Sequence, residues 1–153
     1  MATTRTTART KARKRALDVL YSADLRGEGL TDALARTVED GNGPTNPYSA
    51  TLVRGVAEHR ERIDELLTRH SQGWTLARMP AVDRNVLRLA VFELIGVDDV
   101  PTAVTLSEAV ALVRDLSTDD SPPFVNGVLA SVAEELEADA GSPVAPTTSE
   151  QTD

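Results

Sequence analysis

Between Arg5 and Arg15 stand six cations and no carboxylate: Arg5, Arg9, Lys11, Arg13, Lys14 and Arg15. Positive groups at this density bind nucleic-acid phosphates by Coulomb attraction and by releasing condensed counterions. On single-stranded RNA each neutralised phosphate steepens the log–log salt dependence by about 0.7. The rest of the chain opposes this. Its ten cations and 24 acids sum to −14, against −8 for the whole. An acidic body with one basic end points to a polyanionic partner, nucleic acid ahead of an acidic membrane surface. The bland alternative is a solvated tail that aids solubility.

The second group able to do chemistry runs from Ser117 through Asp119-Asp120-Ser121-Pro122-Pro123 to Phe124-Val125-Asn126-Gly127. A polar loop meets a helix start here, where free amides bind anions. Phe124 can stack on a base, and Asn126 can read a base edge. An equally physical reading makes Asp119, Asp120 and Ser121 caps, Phe124 core, and Gly127 a point of close helix contact.

Other chemistry is poorly supplied. Without cysteine the chain forms no disulfide, thiolate metal site or thiol nucleophile. No phosphate-binding glycine loop and no grouping of serine, histidine and carboxylate stands out, so neither catalytic residues, a metal nor a cofactor is expected. His59 and His70, eleven residues apart on one expected helix, are too distant to share a metal. No apolar run reaches the length of a membrane span. The basic start has some transit-peptide character, but it continues into an apolar helical pattern that the fold needs. A soluble cytoplasmic protein is the expectation.

The elements that must position these groups read as helices. Apolar residues make up 41% and aromatic ones 3%, which suits helices packed through small side chains. Residues 1–8 have nothing to bury and read as a flexible basic arm. Ala12, Ala16, Leu17, Leu20, Tyr21 and Leu25 recur at helical spacing until Gly27 and Gly29. Leu30, Leu34 and Val38 predict a short second helix, and Asn46-Pro47 a capped third helix running to about His70. A boundary is expected between Gln72 and Pro80, with Trp74 packed at it. Val82 to Ile95 reads as a central buried helix. Thr105 with Glu108 fits a capping box, and Ser121-Pro122 starts the last helix. Residues 141–153, rich in Pro, Thr, Ser and acid, read as a disordered tail. The fold class is all-α, with about six main helices and a short one near Trp74.

Several stretches together resemble the transcription antitermination factor NusB family. They are Lys11-Ala12-Arg13-Lys14-Arg15-Ala16-Leu17 through Leu20-Tyr21, and Pro80 to Ala90 with Phe92-Glu93-Leu94. Asp99-Val100-Pro101, Ser107-Glu108-Ala109, Asp120-Ser121 and Phe124 to Leu129 complete the set. The resemblance covers about residues 9–136, and the Phe-Val-Asn-Gly-Val-Leu run is its most specific part. It implies one helical domain over 9–140, made of two small three-helix-bundle-like halves, about 9–76 and 77–140. It also implies binding of boxA RNA in ribosomal RNA transcripts together with ribosomal protein S10 (NusE), with other Nus factors and RNA polymerase engaged indirectly.

By position, the resemblance makes Arg9, Lys11, Arg13 and Lys14 the RNA-contacting arm. Phe124, its neighbour Asn126 and the acidic Asp120 match the helix start beside the RNA. Tyr21 and Asp83 match the meeting place with S10. The chain departs from the family pattern at Lys14 and Arg15, which make the arm more basic, at Ser107, and at Pro122-Pro123, which removes backbone donors before Phe124. Two other readings fit parts of the sequence. One is a homodimeric helical interaction module without specific RNA binding. The other is the RNA-binding portion of a ribosomal RNA cytosine methyltransferase, for whose catalytic domain the chain has no room.

Overall fold

The computed structural model describes residues 8–39 and 46–141. The expected flexible arm up to residue 7, the loop around Gly41 to Pro44 and the expected tail beyond Gly141 lie outside them. The described residues form seven α-helices and no strand: α1 (Ala8–Arg26), α2 (Leu30–Glu39), α3 (Pro47–Glu58), α4 (Arg60–His70), α5 (Ala81–Gly96), α6 (Thr102–Leu116) and α7 (Ser121–Gly141). A single 3-10 turn, Leu76–Arg78, precedes α5.

Helix α1 forms as its spacing predicts, with Ala12, Ala16, Leu17, Leu20 and Ala23 all buried. It stops at Gly27, whose φ of 67° is a left-handed conformation that only glycine adopts cheaply. The Asn46 side chain accepts the Tyr48 amide at 2.8 Å, and Pro47 occupies the first turn of α3. Leu30, Leu34 and Val38 mark a short helix that forms as α2, with Val38 exposed. Two expectations change. The long third helix is two helices bent at His59, although backbone bonds from His59 to Gly55 and from Ile63 to His59 run through the bend. The bend lets α3 lie on α1 while α4 reaches α7. Thr105 is no cap either, because α6 begins at Thr102 and the Thr105 hydroxyl turns inward to Glu93.

Helix α5 is the hub, packed on α1, α3, α4, α6 and α7. Its Phe92 ring lies against Gly55 so closely that a Cβ there would collide with it, and the His59 ring stacks on the same phenyl at 5.7 Å. The hub also carries charge. Arg84 donates to Asp24 of α1 at 2.8 Å and to the carbonyls of Leu76 and Met79. Asn85 joins it on Asp24 at 2.8 Å, and Arg88 reaches Asp64 of α4 at 2.9 Å. Arg84 and Asn85 thus fix α1 and Arg88 fixes α4, in places where an unpaired group would be costly.

Burial alone would raise the Asp24 carboxyl, but the hydrogen bonds from Asn85 and Arg84 outweigh it and hold the group below its usual value of 3.8. A carboxyl lowered in the folded state contributes stability above its unfolded pKa, and that stability is lost as pH falls through the folded one. Asp24→Asn should therefore flatten the acid-side loss of stability between about pH 5 and pH 2. Urea unfolding at stepped pH checks this, and a variant as acid-sensitive as the parent would contradict it.

Candidate nucleic-acid interface

The basic start of α1 divides in two once it is wound into a helix. Lys11, Lys14, Arg15 and Asp18 follow i, i+3, i+4, i+7 spacing and so share one face. Lys11, Arg15 and Asp18 are exposed and Lys14 half-exposed. The Lys14 ammonium lies 3.0 Å from Asp18, in a pair open to solvent on both sides. The same stripe continues down the helix as Tyr21 and Leu25, both exposed.

Arg9 and Arg13 lie on the opposite flank. Arg13 shares its bearing with Leu17 and Leu20, at i+4 and i+7, and points straight into the core. It is 3% exposed. Its Nε donates to Glu93 of α5 at 2.9 Å, and a second nitrogen lies 3.4 Å from Glu108 of α6. Glu93, itself 1% exposed, also accepts the Tyr48 hydroxyl of α3 and the Thr105 hydroxyl of α6, the latter at 2.7 Å. Burial, and next the bond to Glu93, push the Tyr48 phenol well above the usual tyrosine range, so it stays a donor. Arg9 sits over the Tyr48 ring at 4.2 Å and reaches Asp99 at 3.2 Å. Arg13 was expected on the RNA-contacting arm. Its guanidinium is instead an internal clamp, because a cation on the apolar stripe must find a buried carboxylate.

The residues expected at the second cluster meet at the far end of α5. Asp83 accepts the hydroxyls of Ser117 at 2.6 Å and Ser121 at 2.8 Å, and is 1% exposed. It was expected on a partner-facing surface. It instead ties α5 to the loop between α6 and α7, and Ser121 serves that tie through its side chain. Asp120 and Asn126 are exposed. The Asp120 carbonyl accepts the Phe124 amide at 3.4 Å. Phe124 is half-buried, and its ring leans on Trp74 with centroids 5.0 Å apart and planes tilted by 48°.

Along α5, Asp83 and Glu93 are ten residues apart, about 15 Å at the helical rise. The basic arm and the Phe124 corner are therefore two sites rather than one. Sequence reasoning missed the roles of Glu93, Tyr48 and Thr105. A signal existed for the first: Glu93 follows Val86, Leu89 and Ala90 at i+7, i+4 and i+3, and an acid on an apolar stripe requires a buried partner.

Fold and site together define a class: an all-helical protein that turns a cationic helix face out of an acidic body. The model of the NusB family matches residues 10–134, and the chain belongs to that family. The transcription antitermination protein NusB of a Nocardioides species is 67% identical over 125 residues, covering 82% of this chain and 93% of that protein. NusB of T. maritima superposes with a TM-score of 0.75 at 34% identity, over 84% of this chain and 92% of that one. A crystal structure of antitermination factors NusB and NusE in complex with dsRNA gives 0.73 at 33% identity, over 84% and 97%.

Replacing Asp83 by Ala would leave two serine hydroxyls without their acceptor. The expected cost is about 1–3 kcal/mol of unfolding free energy. Chemical denaturation reads it directly, and an unchanged midpoint would show that Asp83 has no structural part.

Proposed function

We propose that this chain is a non-enzymatic, cytoplasmic antitermination adaptor. It binds boxA RNA of ribosomal RNA operon transcripts together with ribosomal protein S10 (NusE), and through them engages other Nus factors and RNA polymerase. The observation that carries this reading is the outward stripe of α1. Its first half, Lys11, Lys14 and Arg15, is cationic; its second half, Tyr21 and Leu25, is apolar and exposed. One helix face thus offers a phosphate-binding segment beside a protein-binding segment.

The relatives support both halves. The curated ones are antitermination proteins, and the NusB–NusE complex with dsRNA places both kinds of partner with a protein of this fold. The acidic body suits a basic ribosomal protein and discourages indiscriminate coating of RNA. Phosphates are held by Lys11, Lys14 and Arg15, while Arg9, on the opposite flank beside Asp99, adds a contact apart from theirs. Arg13 contributes by fixing the bearing of the helix that presents them. Tyr21 and Leu25 face S10, and Asp83 acts on that surface only through the packing of α5.

Charge reversal of Lys11 and Lys14 to Glu tests the phosphate half. Removing two contacts should weaken boxA binding and lower the magnitude of the log–log salt slope by about 1.4. Thermal melting should stay where it was, since both side chains are on the surface. Arg13→Glu is the contrasting variant: it places an acid against Glu93 and should lower the melting temperature. Fluorescence anisotropy with labelled boxA RNA, with and without S10, provides the readout. Parent-like affinity and slope in the Lys11, Lys14 variant would overturn the assignment.

A further inference from the structure

Arg9 and Arg13 stand one turn apart on the same flank of α1, yet their carboxylates hold them very differently. Arg13 is closed inside on Glu93 and Glu108. Arg9 is open. Its side chain is 41% exposed, and that of Asp99, its acceptor between α5 and α6, is 71% exposed. The contact is one nitrogen on one oxygen at 3.2 Å. That is the long end of the hydrogen-bond range, without the paired fork that makes an arginine–carboxylate contact strong. It leaves further guanidinium donors for a second acceptor.

What keeps Arg9 in place lies beneath it. The guanidinium carbon sits 4.2 Å from the centre of the Tyr48 ring, and that ring is fixed because its hydroxyl is bound to the buried Glu93. The seat persists whether a carboxylate or a phosphate lies on the outer side. Next to it, between the start of α1 and the start of α6, a cleft of about 530 Å³ opens along Arg9, Asp99, Val104 and Ser107. A phosphate has room to enter there. The other acid of the cleft, Glu108, is taken up by Arg13 at 3.4 Å and by Thr10 at 3.3 Å. Asp99 is thus the carboxylate that an incoming phosphate meets on Arg9, and two anions repel each other across one cation.

We propose that Asp99 is an internal stand-in for an RNA phosphate: it occupies Arg9 in the free protein and is displaced when RNA binds. This rests on the RNA-binding reading above and adds a brake to it. Lys11, Lys14 and Arg15 attract a strand at once, whereas Arg9 engages only a strand held closely enough to compete with Asp99. The exchange swaps one anion for another on a seated cation, so it costs no more than one exposed ion pair.

Fluorescence anisotropy of labelled boxA RNA with the full chain, with and without S10, tests the brake. Asp99→Asn should tighten binding about two- to five-fold at physiological salt, the range of an exposed ion pair. Asp98→Asn is the control, because Asp98 is also exposed, carries the same charge and makes no ion pair among the described residues. It should stay within about 1.5-fold of the parent, since its charge acts only through screened solvent. Both variants should melt with the parent. Arg9→Gln should bind more weakly, and adding Asp99→Asn to it should recover no more than Asp98→Asn gains alone. A gain at Asp99 that Asp98→Asn matches, or that survives in the Arg9→Gln background, would reduce the effect to net charge; the brake is then wrong and the adaptor reading stands. Weaker binding by Asp99→Asn would make Asp99 a support for Arg9 and overturn the proposal. If the parent captures no RNA with or without S10, both readings fall.

Discussion

A buried carboxylate organises this molecule. Glu93 is sealed inside α5, where an uncompensated charge would cost several kcal/mol. It is tolerated because three helices each bring a donor to it: Arg13 from α1, Tyr48 from α3 and Thr105 from α6. Apolar contacts along the same helices are non-directional and would permit rotation or sliding. Three directed bonds on one acceptor do not. The remaining polar residues of α5 repeat the device, with Arg84 and Asn85 on Asp24, Arg88 on Asp64, and Asp83 on Ser117 and Ser121. The central helix is thus pinned to every layer around it by a separate polar contact.

Function follows from what this pinning does to α1. With Arg13 held by Glu93, the azimuth of the helix is set, and Lys11, Lys14 and Arg15 have to face outward. The cationic run that looks uniform in sequence becomes two populations with different work. One closes the core, and the other faces outward from the helix. The far end of α5 is organised in the same way. Asp83 holds the loop from which α7 starts, and that start carries Phe124 to its place beside Trp74. A folding device at each end of one helix positions a candidate contact surface.

Much of this was legible from the chain. Helical spacing gave α1, α5 and α7, Asn46-Pro47 gave a cap that forms as expected, and Gly27 gave a stop. The pieces that were not legible share a cause: local chemistry was overruled by a distant partner. Thr105 and Glu108 have capping-box spacing, yet Thr105 turns to Glu93 and Glu108 takes Arg13. Ser121 looks like a cap and instead serves Asp83. His59 carries no breaker signal, and the bend there goes with a ring stack on Phe92, 33 positions further along the chain. Arg13 is the instructive case. Its charge suggested RNA, while its position among Ala16, Leu17 and Leu20 already placed it inside.

The division of the α1 cations is most directly tested by following arginine side-chain Nε–H signals in nitrogen-15 NMR as boxA RNA is added. The Arg13 signal should be protected from solvent exchange in the free protein and should keep its shift when RNA binds, while that of Arg15 moves. An Arg13 signal that exchanges freely and shifts with RNA would contradict the account, because the guanidinium would then be on phosphate and not on Glu93.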